Sequence, residues 1–185
     1  MDSLRHMLVT DSATGSLVER PTGLYEGHDV DTAGNRLSSE RALSVDAGPH
    51  RHAAHALPNE LLVRSGDDGL VVASALHDPS WLKVDVRDAV GQRLAAILFA
   101  ELGQGDEFQL FCFHGHLRLE RGNAPFTFSG RDPLRDMFLS IAFGADLRAP
   151  PRIELAFTWN IPSAVAFLCG VVCHLRARTF DAANG

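Results

Sequence analysis

The chain has 185 residues, of which 45% are hydrophobic, and a formal net charge of −6 at pH 7. This length and apolar content predict one globular domain with a sizeable core. The acidic balance does not favour tight binding to nucleic acid, because phosphate binding requires an excess of Lys and Arg. No apolar run reaches the roughly 18 residues that a membrane-spanning helix needs.

Residues 1–56 are polar, rich in Gly, Ser and Asp, and without periodicity. Glycines and prolines interrupt their short apolar pieces, which are too small to build a core of their own. We therefore expect an extended N-terminal arm over residues 1–56, flexible or draped over a partner, followed by a body over residues 57–185. The first residues lack the basic opening and apolar run of a secretory signal, so we expect a cytoplasmic location.

The first half of the body has the pattern of β-strands. Glu60–Ser65 and Leu70–Leu76 are apolar runs separated by a Gly-Asp-Asp-Gly break that is typical of a hairpin. Trp81–Val86 alternates between apolar and polar residues, as a half-buried strand does. Ala89–Leu102 fits an amphipathic helix, although Leu94–Leu102 also fits a buried strand.

The second half of the body also predicts mainly strands. Glu107–Glu120 alternates strongly, and Ile153–Trp159 does the same. Pro133–Phe143 fits a helix, because a capping Asp precedes it and its apolar residues recur every three or four positions. Val165–Phe180 is predicted as the last long strand. About eight strands with one or two connecting helices favour an antiparallel β-sandwich or jelly roll.

One short motif could bind a metal. His114, His116 and Glu120 lie at strand spacing, and alternate residues of a strand share a face. The motif resembles the first metal-binding motif of the cupin family, which implies a divalent metal held by these three residues. Gly115 between the two histidines fits a turn at least as well, so our main expectation is no cofactor, with the metal site as the alternative.

Other catalytic patterns are weak, and we expect no enzymatic activity. The chain contains no Gly-x-Ser-x-Gly sequence and no phosphate-binding Gly-rich loop. Its three cysteines, Cys112, Cys169 and Cys173, lie in apolar runs and are expected to be buried, reduced thiols. Trp81 and Trp159 are expected to anchor an interface or pack in the core.

Several segments resemble the single jelly-roll coat proteins of small bromovirus-like RNA viruses. The order of the predicted elements is also similar. This resemblance implies a jelly-roll capsid protein of the virion, which builds a shell through its β body and exchanges its arm between subunits. The segments that carry it are Leu57–Leu61, Glu107–Leu110, Ile153–Phe157, Pro162–Ala164, Val171–Leu175 and Arg178–Asp181.

Three functional hypotheses follow. The first is a self-assembling structural protein whose partner is itself, as a homo-oligomer or shell. RNA is a further conceivable partner, which the net acidic arm does not favour, and we expect no membrane partner. The second is a bacterial binding or regulatory module, such as an immunity protein or a secretion partner. The third is a cupin-like metal-dependent enzyme or sensor that uses His114, His116 and Glu120.

Overall fold

The computed structural model describes residues 4–11, 23–37, 42–47, 59–66, 68–100, 107–124, 126–147 and 151–184. These residues form twelve β-strands and one α-helix. The strands are β1 (Arg5–Asp11), β2 (Leu24–Val30), β3 (Leu43–Asp46), β4 (Glu60–Ser65), β5 (Val71–His77), β6 (Lys83–Asp88), β7 (Arg93–Phe99), β8 (Glu107–Cys112), β9 (Gly115–Arg121), β10 (Thr127–Asp132), β11 (Met137–Phe143) and β12 (Arg152–Phe157), and the helix is α1 (Ser163–Asn184).

The twelve strands form one closed barrel. Each strand pairs antiparallel with the next strand of the chain, and β1 also pairs with β12. Met7, for example, lies opposite Asp29 of β2 and Leu155 of β12. Buried residues alternate with more exposed residues along β2, β4, β9, β11 and β12, which is the pattern of a wall with one face toward a core. Because neighbouring strands are antiparallel, all even-numbered strands run in the same direction and end at the same end of the barrel.

The helix α1 runs through the lumen of this barrel. Residues 165–174 of α1 are buried on every side, and the helix contacts β1, β5, β7, β11 and β12, which lie around the barrel. At 22 residues it is about 33 Å long, longer than the wall strands, which have four to seven residues. It enters beside the end of β12 and extends to the opposite end, where Arg176 donates a hydrogen bond to the carbonyl of Ala100.

The start of α1 is fixed by its own backbone. The N–H groups of Val165 and Ala166 both donate to the carbonyl of Pro162, at 2.9 and 3.0 Å. Proline is favoured at helix starts because its φ is already helical and its missing N–H would be unpaired there. Ile161, directly before it, is fully buried. The chain therefore turns from β12 into the lumen within a few residues.

Helix and wall pack closely. A Cβ added at Gly27 of β2 would lie 2.7 Å from a ring carbon of Phe167 in α1. A Cβ added at Gly170 of α1 would lie 3.0 Å from a methyl of Leu155 in β12. Small residues at these two places let the helix backbone approach the wall. The core is thus a single cluster formed by the inward side of the wall and by α1.

The predicted jelly-roll sandwich is wrong. A jelly roll contains Greek-key connections between two sheets, whereas here consecutive strands are neighbours throughout and a single sheet closes. The prediction of an extended N-terminal arm is also wrong for the described part of residues 1–56, because β1, β2 and β3 are strands of the barrel wall. The capsid interpretation, which depended on the jelly roll, loses that support.

Two predicted elements have the opposite type. Pro133–Phe143 is not a helix but the turn after β10 followed by β11, and its apolar residues face the core at alternate positions. Val165–Phe180 is not a strand but lies within α1. The helix predicted over Ala89–Leu102 is also wrong, and the alternative, a buried strand within Leu94–Leu102, is confirmed for the described residues as β7. The mainly β character and the strands at Glu60–Ser65 and Glu107–Cys112 are confirmed.

Replacing Gly27 by Ala tests the packing of the helix in the barrel. The added methyl group would clash with the buried ring of Phe167, so we expect the free energy of unfolding to fall by about 1–3 kcal/mol. Urea denaturation measures this change. The matched control is Gly144→Ala, where an added Cβ has nothing within 4 Å. Equal stability of the two variants would contradict a helix packed against β2.

Candidate functional site

The three residues of the predicted metal site do not come together. His114 lies in the turn between β8 and β9, beside Phe113. His116 and Glu120 lie on the exposed face of β9, four positions apart, which is about 13 Å along an extended strand. Among the described residues, no three side chains of the His, Cys, Asp and Glu types are grouped to hold a metal ion. Metal binding at these residues stays a prediction.

The predicted thiol environments can be compared with the structure. Cys169 and Cys173 are buried in α1, and Cys112 at the end of β8 is half-buried. Burial raises the pKa of all three thiols, because the thiolate would lose its hydration; for Cys173 the pKa lies far above its usual range. These thiols are protonated at neutral pH, which makes them poor nucleophiles.

A buried polar pair lies in the lumen. The hydroxyl of Tyr25 in β2 and Nδ1 of His174 in α1 form a hydrogen bond of 2.9 Å, and both side chains are buried. The ring of Phe143 meets His174 edge-on. Burial, and in second place the charge of Arg178, lower the pKa of His174 from 6.5 to about 4. The hydrogen bond between Tyr25 and His174 therefore links α1 to β2 while the His174 imidazole is neutral.

A set of large exposed apolar residues lies at the end of the barrel where the even-numbered strands end and α1 begins. In its described part, each of the six connections at this end carries one such residue, and the chain ahead of β1 adds another. Phe113 and Leu134 are 94% and 93% exposed, Val90 82% and Trp159 65%. We call this set the apolar rim, and its members are Leu4, Leu37, Leu70, Val90, Phe113, Leu134 and Trp159.

Three turns of the apolar rim share the same local structure. Leu70, Val90 and Leu134 each lie two residues after an aspartate, whose Oδ1 accepts the N–H of the apolar residue at 3.0 Å. Such turns fix the backbone by a short side-chain hydrogen bond. The aspartates are Asp68, Asp88 and Asp132. The apolar side chains are thus presented on ordered turns.

Arg135 strengthens the turn that carries Leu134. Its guanidinium donates to the carboxylate of Asp132 at 2.8 Å, and this bond holds the pKa of Asp132 below its usual value. The neighbouring connection is bound to the same turn, because the amide of Asn160 donates to the carbonyls of Arg135 and Asp136. Adjacent parts of the rim therefore support each other.

Trp159 lies over a charged residue. The guanidinium of Arg5 is 4.6 Å from the centre of the Trp159 ring and also forms a 2.9 Å ion pair with Asp29. Arg5 is mostly buried, so it cannot move freely from this position. The predicted role of Trp159 as an interface anchor is compatible with this exposed, supported ring, and it stays a prediction.

Trp81, the other predicted anchor, has a different environment. It lies in the turn between β5 and β6, at the end of the barrel opposite the rim. Its ring stacks on His77, with ring centres 3.5 Å apart, and packs partly against the core. Trp81 therefore packs within its own chain, and its predicted role as an interface anchor stays a prediction.

Aromatic residues continue from the rim onto the outer wall of β8 and β9. Phe111, next to the rim, stacks on His116 with ring centres 4.4 Å apart. His116 in turn pairs with the amide oxygen of Gln109 at 3.2 Å. His116 of the predicted metal motif is therefore part of this aromatic surface.

The sequence carried a signal for the rim that the motif analysis missed. Aspartate followed two residues later by an aliphatic residue occurs in three of the turns, at Asp68-Gly-Leu, Asp88-Ala-Val and Asp132-Pro-Leu. An aliphatic residue inside a turn contributes little to a core. Recognising that these turns share one end of the barrel required the strand order.

Comparisons with protein-family models, with curated proteins and with solved structures find no match for this chain. The resemblance to bromovirus-like coat proteins stays a prediction. In the described part of the chain, no helix has both the length and the apolar character needed to cross a bilayer. The functional argument therefore depends on the geometry of the molecule itself.

The Tyr25–His174 pair predicts acid sensitivity. The unfolded chain, with a histidine pKa near 6.5, takes up a proton before folded His174 does, so stability is complete above that pH and is lost as the pH falls toward 4. We expect this component to reach about 3 kcal/mol. Urea denaturation between pH 7 and 4 measures it. The double variant Tyr25→Phe/His174→Leu, which removes both polar partners, should lose this component. If the double variant lost as much stability between pH 7 and 4 as the wild type, the prediction would be wrong.

The exposure of Trp159 can be checked by fluorescence. In Trp81→Phe, emission comes from Trp159 alone, and in Trp159→Phe it comes from Trp81 alone. We expect acrylamide to quench Trp159 more strongly than Trp81 in dilute protein, because its ring is 65% exposed. A Trp159 protected from acrylamide in the monomer would mean that the chain covers its own rim.

Proposed function

We propose that this protein is a non-catalytic docking module that binds another macromolecule through the apolar rim. The observation that carries this proposal is a repeated feature: each of the six connections at the rim end carries a large exposed apolar residue. Large exposed apolar surfaces on soluble proteins mark interaction sites. Among the three hypotheses from sequence, this proposal develops the binding module.

The filled lumen supports a docking role over a small-molecule site. Closed barrels that bind small ligands hold them inside. Here the interior is occupied by α1, whose residues 165–174 are buried against the wall. The raised pKa values of the thiols make these groups poor nucleophiles. These features direct attention to the outer surface.

The order of the rim turns supports binding through them. A side chain that is already held in position loses less conformational entropy when a partner covers it. The aspartate-bound turns at Leu70, Val90 and Leu134 supply this order. Fully covering one such side chain contributes roughly 1.5–3 kcal/mol. Several covered together would supply a useful binding energy.

The routes of assembly expected from the sequence need revision. Lateral contacts through free sheet edges are unavailable, because a closed barrel has no edge strand. Exchange of an arm would remove β1, β2 and β3 from the barrel of their own chain. Self-assembly itself remains a proposal, but through the rim.

Photo-crosslinking tests the docking role. A benzoyl-phenylalanine replaces Phe113 or Leu134 in cells that naturally produce the protein, and the adducts are identified by mass spectrometry. We expect a defined macromolecular adduct at both rim positions. Control probes replace Arg152 and Glu154, exposed side chains on the outer wall of β12. No adduct at the rim, or equal labelling of rim and wall, would refute the proposal.

A further inference from the structure

We infer that the partner of the apolar rim is a second copy of this chain, bound end to end around a two-fold axis. This inference rests on the proposed docking function and names its partner. The rim is a ring of separate tips at the end of a barrel. Its size, its charge pattern and its geometry each favour a copy of the same surface.

The first argument is size. Twelve strands at about 4.8 Å spacing and about 40° tilt give a perimeter of about 75 Å, and hence a backbone diameter of about 24 Å. With side chains the end face is about 30 Å across and covers roughly 700 Å². A stable interface buries about 800 Å² from each partner. One whole end face therefore matches what a dimer needs.

The second argument is charge. Each of three apolar tips has an aspartate in its own turn and an arginine that binds the same turn: Asp68 and Arg64 beside Leu70, Asp88 and Arg87 beside Val90, and Asp132 and Arg135 beside Leu134. A surface of alternating sign can meet a rotated copy of itself with opposite charges facing. An anionic lipid or nucleic-acid surface would meet the aspartates too, on a chain with a net charge of −6.

The third argument is geometry. The six connections divide the perimeter into steps of about 12 Å, so the apolar tips alternate with gaps around the ring. In a two-fold contact, each surface meets the same surface of its partner, and tips on one copy can enter the gaps of the other. A single helix or extended peptide would cover only one side of such a ring. The whole ring is covered by a partner with a matching end.

Sedimentation velocity on the purified full chain tests the inference, from about 0.1 to about 100 μM. We expect a monomer–dimer equilibrium within this range, with a dissociation constant in the micromolar class of small interfaces. The double variant Phe113→Ser/Leu134→Ser should weaken it by about 100-fold or more, because two apolar tips are lost from each copy. Its free energy of unfolding should stay unchanged, since both side chains are exposed.

The matched control is Arg152→Ser/Glu154→Ser, which changes two exposed side chains on the wall and should dimerise like the wild type. In Trp81→Phe, acrylamide quenching of Trp159 should fall as the dimer forms. A monomer at about 100 μM, a dimer that survives the rim variant, or a dimer with an unprotected Trp159 would each overturn the inference.

The two proposals fail in different ways. If the rim probes crosslink to a different protein and the purified chain stays monomeric, docking holds and the second copy is wrong. Co-sedimentation with neutral and anionic phospholipid vesicles tests lipid as the alternative partner. If the monomeric wild type binds the vesicles and the Phe113→Ser/Leu134→Ser variant does not, the rim binds lipid and the dimer inference is wrong. If the rim probes form no adduct in cells and the purified chain is monomeric, both the docking function and the dimer are refuted.

Discussion

The structure depends on one requirement, the burial of a helical segment that is apolar on all of its sides. This segment, residues 165–173 of α1, includes Phe167, Leu168 and Val171 and has no polar face to turn toward water. A sheet or a bundle would cover part of such a helix. A closed barrel covers all of it, and twelve strands give an interior wide enough for a helix. The wall in turn needs the helix, because without it the barrel would enclose a large apolar void.

This mutual burial decides where a function can be. With the lumen filled and every strand paired on both sides, the interior and the sheet edges are both used by the fold. The connections at the barrel ends remain, and their residues are free of demands from the core. At the end where α1 enters, these connections hold large apolar residues on hydrogen-bonded turns. The proposed docking function would explain side chains that cost solubility and add nothing to the core.

The sequence predicted the strands better than their arrangement. Glu60–Ser65 and Glu107–Cys112 were recognisable because one side faces water and the period of two is visible. Val165–Phe180 was misjudged as a strand because a helix buried all round shows no period of 3.6, and its valines and cysteines fit a buried strand equally well. At Pro133–Phe143, a capping Asp and a proline fit a helix start, but here Asp132 binds the N–H of Leu134 in a turn. The same local chemistry serves both structures.

The candidate site could not be read from sequence for a related reason. The rim residues are separated in the chain by up to 155 positions, from Leu4 to Trp159, and nothing local connects them. They come together because antiparallel strands in a simple up-and-down order return every second connection to the same end. His116 and Glu120 lie apart for a simpler reason: the extended backbone of β9 separates them, although their spacing had suggested a shared site. Topology therefore decides which residues act together. An exposed apolar residue in a turn indicates a binding surface only when the neighbouring turns also carry exposed apolar residues.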